Sequence, residues 1–174
     1  AEAGYPGGRN FPLVRFLTTG ETGGIDQEIG VELQVMWERE LGIRVQLERQ
    51  EWKVYLESLT KMDYDMARSS WVADYPDANT FLGMFVTGDG NNRTGWSNAR
   101  YDELIAAAAR EADREKRFDI LREAETILIS KEPPICPLYY YVGVQLYDGT
   151  RLGGITSNPI DEHPLKNMYW KGRR

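Results

Sequence analysis

The sequence holds a single cysteine, Cys136, a single histidine, His163, and no long apolar run. Each shortage excludes a class of protein. One cysteine can neither close an internal disulfide nor build a cysteine metal cluster, and it leaves the redox compartment open. Cys136 lies between Pro134 and Pro137 in an apolar stretch, where a buried, inert thiol is expected. A histidine metal site or a Ser-His-Asp triad would have to be built around His163, in an irregular C-terminal stretch. No apolar segment approaches the length of a membrane span. Positive charge is the minority sign, 21 Lys and Arg against 27 Asp and Glu for a net charge of −6. With no basic stripe, neither nucleic acid nor an anionic membrane is expected as a partner. What is present suits a folded α/β chain. The 174 residues are 41% hydrophobic and 28% charged, enough for one sizeable core, and one globular unit is expected.

Apolar periodicity places the elements. Residues 13–18 have strand character, and 25–41 read as a helix, with Ile25, Ile29, Leu33, Met36, Trp37 and Leu41 at helical spacing and Gly42 as its stop. Ile43, Val45 and Leu47 alternate with polar residues as a half-buried strand. A helix over 52–62 turns Trp52, Tyr55, Leu56 and Leu59 inward, and 64–70 form a third strand. This β-α-β-α-β order predicts parallel neighbours joined by crossovers. Beyond it the chain is helical, over 80–85, 99–112 and 115–131. Tyr101, Leu104, Ile105 and Ala108 mark one core face, Phe118, Leu121, Ala124 and Leu128 another, and Asp113 is the N-cap of the last helix. Residues 135–141 and 144–147 read as strands, and the remainder is irregular until 168–170. Ala1-Glu2-Ala3 before Gly4-Tyr5-Pro6-Gly7-Gly8 reads as the end of a helix and its stop, so the chain is expected to be a piece of a longer protein.

Several motifs fail on their chemistry. Thr18 to Gly24 sits between strand and helix, where phosphate loops sit, yet it lacks the Gly-Lys-Ser/Thr ending and carries Glu21 where phosphate would lie. Asp89-Gly90-Asn91-Asn92 begins like a calcium loop without its later glycine and glutamate. Asn92-Arg93-Thr94 is a chance glycosylation triplet. No metal and no cofactor are expected.

The segment from Tyr64 to Pro76 carries the most information. A strand runs into a loop bearing Arg68, Trp71 and Asp74, a set suited to ligand capture: a carboxylate can hold a cation, Trp71 can wall it from water, and Pro76 halts the chain. The plain alternative for Asp74 is a turn residue or helix cap. An enzyme alternative is a carboxylate hydrolase using two acids from Asp63, Asp65, Asp74 and Asp77. A third is a purely structural domain in which Trp71 and Tyr75 are core or rim.

With Thr80-Phe81-Leu82 after it, this segment resembles the C-terminal lobe of the family 5 extracellular solute-binding proteins, the peptide-binding components of bacterial ABC importers. The resemblance runs along the whole chain. It also rests on Gln50-Glu51-Trp52 with Tyr55-Leu56, Gly95-Trp96-Ser97 leading to Tyr101-Asp102-Glu103-Leu104-Ile105, Pro137-Leu138-Tyr139-Tyr140-Tyr141, and Leu165-Lys166-Asn167-Met168-Tyr169. It implies an α/β lobe of the periplasmic-binding-protein kind, a mostly parallel or mixed sheet flanked by helices. Residues 1–152 would form the ligand-binding lobe, and 153–174 a tail that returns to an N-terminal lobe of the same protein. It implies a non-enzymatic role: capture of a peptide between two lobes and delivery to a membrane permease, in the periplasm or on a cell-surface lipoprotein. Nickel, haem and sugars are cargoes of other members. Asp74 corresponds to an aspartate that pairs with the peptide's α-ammonium, and Arg68 to an arginine that serves carboxylates. The backbone at Ser70 and Val72 would hydrogen-bond the ligand as an added strand, and Tyr141 would wall the cleft. Without the first lobe, Leu165, Met168, Tyr169 and Trp170 would lose their neighbours, with self-association as one outcome.

Overall fold

Strand β1, Val14–Thr19, is buried on both faces, and this organises the first part of the chain. Its register pairs Val14 with Val45 through Thr19 with Gln50 of β2, Val45–Gln50, and Phe16 and Leu17 with Met66 and Ala67 of β3, Met66–Ala67. Both pairings in this sheet are parallel, as the β-α-β-α-β sequence order predicts, and the strand order is β2-β1-β3. Val14 and Phe16 pack with Val45, Leu33 and Trp37 on the side of helix α1, Ile25–Leu41. On the opposite face, Leu17 packs with Tyr55 and Leu59 of helix α2, Trp52–Lys61. A central parallel strand needs cover on both faces, and the two crossover helices supply it. Gly30 lets α1 come down on the sheet, since a Cβ there would lie 3.3 Å from Thr18 Cγ2.

The structure, a computed structural model, describes residues 1–20, 24–158 and 160–172. Glu21, Thr22 and Gly23 of the rejected phosphate-loop reading lie outside that set. The chain divides into two units, Ala1–Ser70 and Trp71–Arg174, where composition led to the expectation of one. The cores give the reason: every cluster draws its residues from one unit alone.

In the second unit, α3 (Asn79–Leu82) leads through a 3-10 turn to a loop and then to α4 (Ala99–Ala108) and α5 (Arg114–Thr126), which continues as a π-helical turn to Lys131. Asn98 and Asp113 cap α4 and α5 by accepting from the amides of Tyr101 and Lys116. Tyr101, Leu104, Ile105, Ala108, Leu121, Ala124 and Leu128 are buried together with Leu82 and Ile127, so the helical spacing located this core. Strand β4, Leu152–Gly153, pairs antiparallel with β5, Tyr169–Trp170, in a separate two-stranded sheet.

Several expectations are corrected. Residues 135–141 and 144–147 pair with no strand among the described residues, and Tyr140 and Leu146 are more than 90% exposed; β-prone sequence makes a strand only where a ladder partner exists. Cys136 is exposed, not buried, because it lies at the start of this run outside any sheet among the described residues. Trp52 faces solvent and stacks on Tyr55, and Phe118 lies beneath the Arg114 guanidinium at 5.4 Å. Ile25, Met36 and Leu41 are exposed, since α1 turns its Gly30, Leu33 and Trp37 stripe to the sheet. Residues 1–4 form one turn, closed by Gly4 N–H to Ala1 O, with Gly4 at φ +87°. No helix among the described residues is long and apolar enough to cross a membrane.

Candidate functional site

The division between units falls inside the segment that the sequence singles out, so its residues are placed within their own units. In the first unit, Arg68 follows the two-residue β3. Its amide donates to Leu17 O at 2.9 Å, and its carbonyl accepts from Tyr55 Oη at 2.5 Å. The guanidinium is 5% exposed and pairs with Asp26 Oδ1 at 2.7 Å, in the first turn of α1. A buried arginine is held with a counter-charge because an uncompensated one would be costly. Ser70, last in the unit, is exposed.

The second unit opens with Trp71 and Val72, 37% and 69% exposed, followed by buried Ala73 and exposed Asp74. Two attachments hold this loop. Thr80, buried at the start of α3, accepts the Asp74 amide on Oγ1 at 3.0 Å. Asp77 accepts the Asn79 amide on Oδ1 at 2.8 Å and receives both ends of the Arg117 guanidinium, Nη1 at 2.7 Å and Nη2 at 2.8 Å. The paired guanidinium holds the Asp77 carboxyl below its ordinary value; partial burial opposes this, and the Asn79 amide adds to it. Asp74 differs: its amide is engaged, while no donor among the described residues reaches its carboxylate. The backbone amides and carbonyls of Ser70 and Val72 likewise have no hydrogen-bond partner among the described residues. The loop therefore offers a fixed, solvent-facing negative charge with Val72, an exposed residue whose main chain is unpaired among the described residues, two positions before it. That arrangement can hold a cation and add a strand.

Tyr141 lies in the segment after α5, 58% exposed, with its ring 5.0 Å from that of Tyr139. A depression of about 290 Å³ is lined by Pro76, Asn158, His163 and neighbours, and by none of the site residues expected from the sequence. His163 Nε2 lies 2.9 Å from Asp161 Oδ1 there. Among the described residues, no three His, Cys, Asp or Glu side chains converge to hold a metal ion.

The family model for bacterial extracellular solute-binding proteins, family 5 (middle), matches residues 1–93. The chain belongs to that family. The chain is 39% identical over 140 residues to the dipeptide-binding protein DppE of Bacillus subtilis, covering 80% of this chain and 25% of DppE. It is 33% identical over 170 residues to the periplasmic oligopeptide-binding protein OppA of Salmonella typhimurium, covering 97% and 30%. The structure of Haemophilus influenzae OppA in complex with RPPGFSPFR superposes with a TM-score of 0.79 at 31% identity, covering 97% of this chain and 33% of that one. The chain thus has the α/β fold of these periplasmic binding proteins and spans about a quarter to a third of their length.

Within this family 5 chain, sequence reasoning missed three residues that shape the loops. Asp26 is far from Arg68 in sequence and carries no motif, and Arg117 is equally remote from Asp77. Asn92, set aside with the calcium and glycosylation patterns, donates from Nδ2 to the carbonyls of Phe85, Val86 and Trp96, and accepts from Thr94 on Oδ1. An asparagine amid turn residues was its one signal.

Proposed function

We propose that this chain is a ligand-holding part of the substrate-binding component of an ABC importer, capturing peptides by their free amino end and main chain. The observation that carries the reading is the Asp74 carboxylate, exposed and without a partner among the described residues, on a loop whose Val72 main chain is also unpaired. In this reading Asp74 takes the α-ammonium. The backbone of Ser70 and Val72 takes the peptide as an added strand, and Trp71 shields the ion pair. Arg68, occupied by Asp26, would reach a ligand carboxylate only by sharing its guanidinium, and Tyr141 would flank the ligand. Backbone pairing is indifferent to side chains, which suits a binder of mixed peptides. The relatives' names, dipeptide-binding and oligopeptide-binding, support the same cargo class.

The role is binding without turnover, in the periplasm or on the cell surface, with a membrane permease as downstream partner. Three of the four acids available to a carboxylate hydrolase are already engaged. Arg15 binds Asp63 at 3.0 Å through Nη1 and Asp65 at 2.7 Å through its amide, and Arg117 binds Asp77. Glycoside hydrolysis needs two carboxyl groups facing each other, and one free acid does not supply them.

Calorimetry with the whole protein tests the assignment. Asp74→Asn keeps the shape and removes the charge, and affinity for a free-amino peptide is expected to fall by about 2 kcal/mol or more. N-acetylated peptides are expected to bind the parent as weakly as free-amino peptides bind the variant. Parent-like affinity of Asp74→Asn for tri-alanine would end the anchor role.

A further inference from the structure

We propose that Arg117, on α5, is the positioning residue for the ammonium-holding loop: it sets where the Asp74 carboxylate stands without contacting the ligand. The inference rests on the reading of Asp74 given above. It starts from the three bonds of the Arg117 side chain. Nη1 and Nη2 grip both oxygens of Asp77, and Nε donates to Ala108 O at 3.1 Å, the last residue of α4. One guanidinium therefore ties the end of α4, the body of α5 and the Asp74-bearing loop. Only a planar fork makes these bonds together; a lysine ammonium has one point of attachment.

From Asp77 the connection runs to the site. The Asp77 carbonyl accepts the Thr80 amide at 3.1 Å, and the Thr80 hydroxyl accepts the Asp74 amide at 3.0 Å. The Asp77 carboxylate also holds the Asn79 amide at the start of α3. Asp74 is thereby fixed through its backbone while its carboxylate stays available. The pair is itself sheltered, with side chains 25% and 32% exposed, so water competes with it less than at a surface pair. Charge is matched as well. Asp74 and Asp77 are the acids between Trp71 and Leu82, and Arg117 neutralises one of them. A single uncompensated negative charge is left, which fits one ammonium. A loop that lost Arg117 alone would carry two, and its backbone would be held by Thr80 and the Asn79 amide bond without the anchor to α5.

The test uses Arg117→Gln, Arg117→Lys and Asp77→Asn in the whole protein, with tri-alanine and N-acetyl-tri-alanine as probes. Arg117→Gln and Asp77→Asn are each expected to weaken tri-alanine binding about tenfold, the scale of one charged hydrogen bond, and Arg117→Lys to recover part of it. In an Asp74→Asn background the Arg117→Gln change is expected to cost nothing further, a coupling that a purely structural role would not produce. Hydrogen exchange on unliganded protein gives a second readout: the Asp74 amide should lose protection while the amides of α5 keep theirs. Unchanged tri-alanine affinity in folded Arg117→Gln or Asp77→Asn, or an equal loss with and without Asp74, would overturn the role and leave the Asp74 reading intact. A parent that binds both probes equally would instead overturn the Asp74 reading and this inference with it.

Discussion

The hydroxyl of Tyr101 offers a sharp probe of the second unit's core. The side chain is fully buried on α4, its ring meets Trp96 edge-on at 5.0 Å, and its Oη donates to Leu82 O at 2.6 Å, joining α4 to the end of α3. Tyr101→Phe keeps the ring and strips one donor from a buried carbonyl, which costs about 1–3 kcal/mol. Tyr101→Ala also empties the ring's volume and costs about 3–5 kcal/mol. In a chain of this size each kcal/mol lowers Tm by about 2–4 °C, so the two variants should separate clearly in urea and thermal melts. Burial, and secondarily the Asp102 charge, raises the hydroxyl's pKa far above the ordinary 10.0. Its proton is retained in the fold where the unfolded chain loses it. The stabilisation is thus complete below pH 10, declines as pH rises above that, and this alkaline slope should vanish in Tyr101→Phe. Equal losses for Phe and Ala, or a Phe variant as stable as the parent with the slope unchanged, would refute the hydrogen-bond account.

Two further outcomes are expected in the first unit and in the run that follows α5. Gly42 ends α1 with φ +67°, and a Cβ there would lie 2.5 Å from the Gly7 carbonyl oxygen. Gly42→Ala should therefore cost about 1–2 kcal/mol from conformation alone, with the clash in addition, seen as a lower urea midpoint at unchanged slope. Cys136, exposed in the native chain, should react with an aromatic disulfide reagent without denaturant at the rate of a small-molecule thiol; protection until unfolding would contradict the structure.

Much of the fold was legible because it is local or periodic. The α1 boundaries follow from spacing and Gly42, the Asp113 cap from its side chain, and the α4–α5 core from apolar recurrence at helical intervals. The parallel sheet followed from β-α-β order. In the site, a loop carrying Trp71 and Asp74 was readable as a charged, aromatic turn after a strand. Where expectation failed, partners were the cause. Trp52 and Phe118 have the right spacing for a core, yet both are exposed.

The sequence by itself thus determined the main helices, the parallel order of the first three strands and the residue types offered to a ligand, because these depend on neighbours a few positions away and on side-chain chemistry. Tertiary structure alone decided that Arg68 is held by Asp26, that Asp77 is held by Arg117, and that Asp74 keeps its carboxylate unpartnered among the described residues. It also decided that 135–147 joins no sheet among the described residues despite its β-prone sequence. An ion pair or a strand ladder is a relation between segments distant along the chain, and neither partner's local sequence encodes the distance that brings them together.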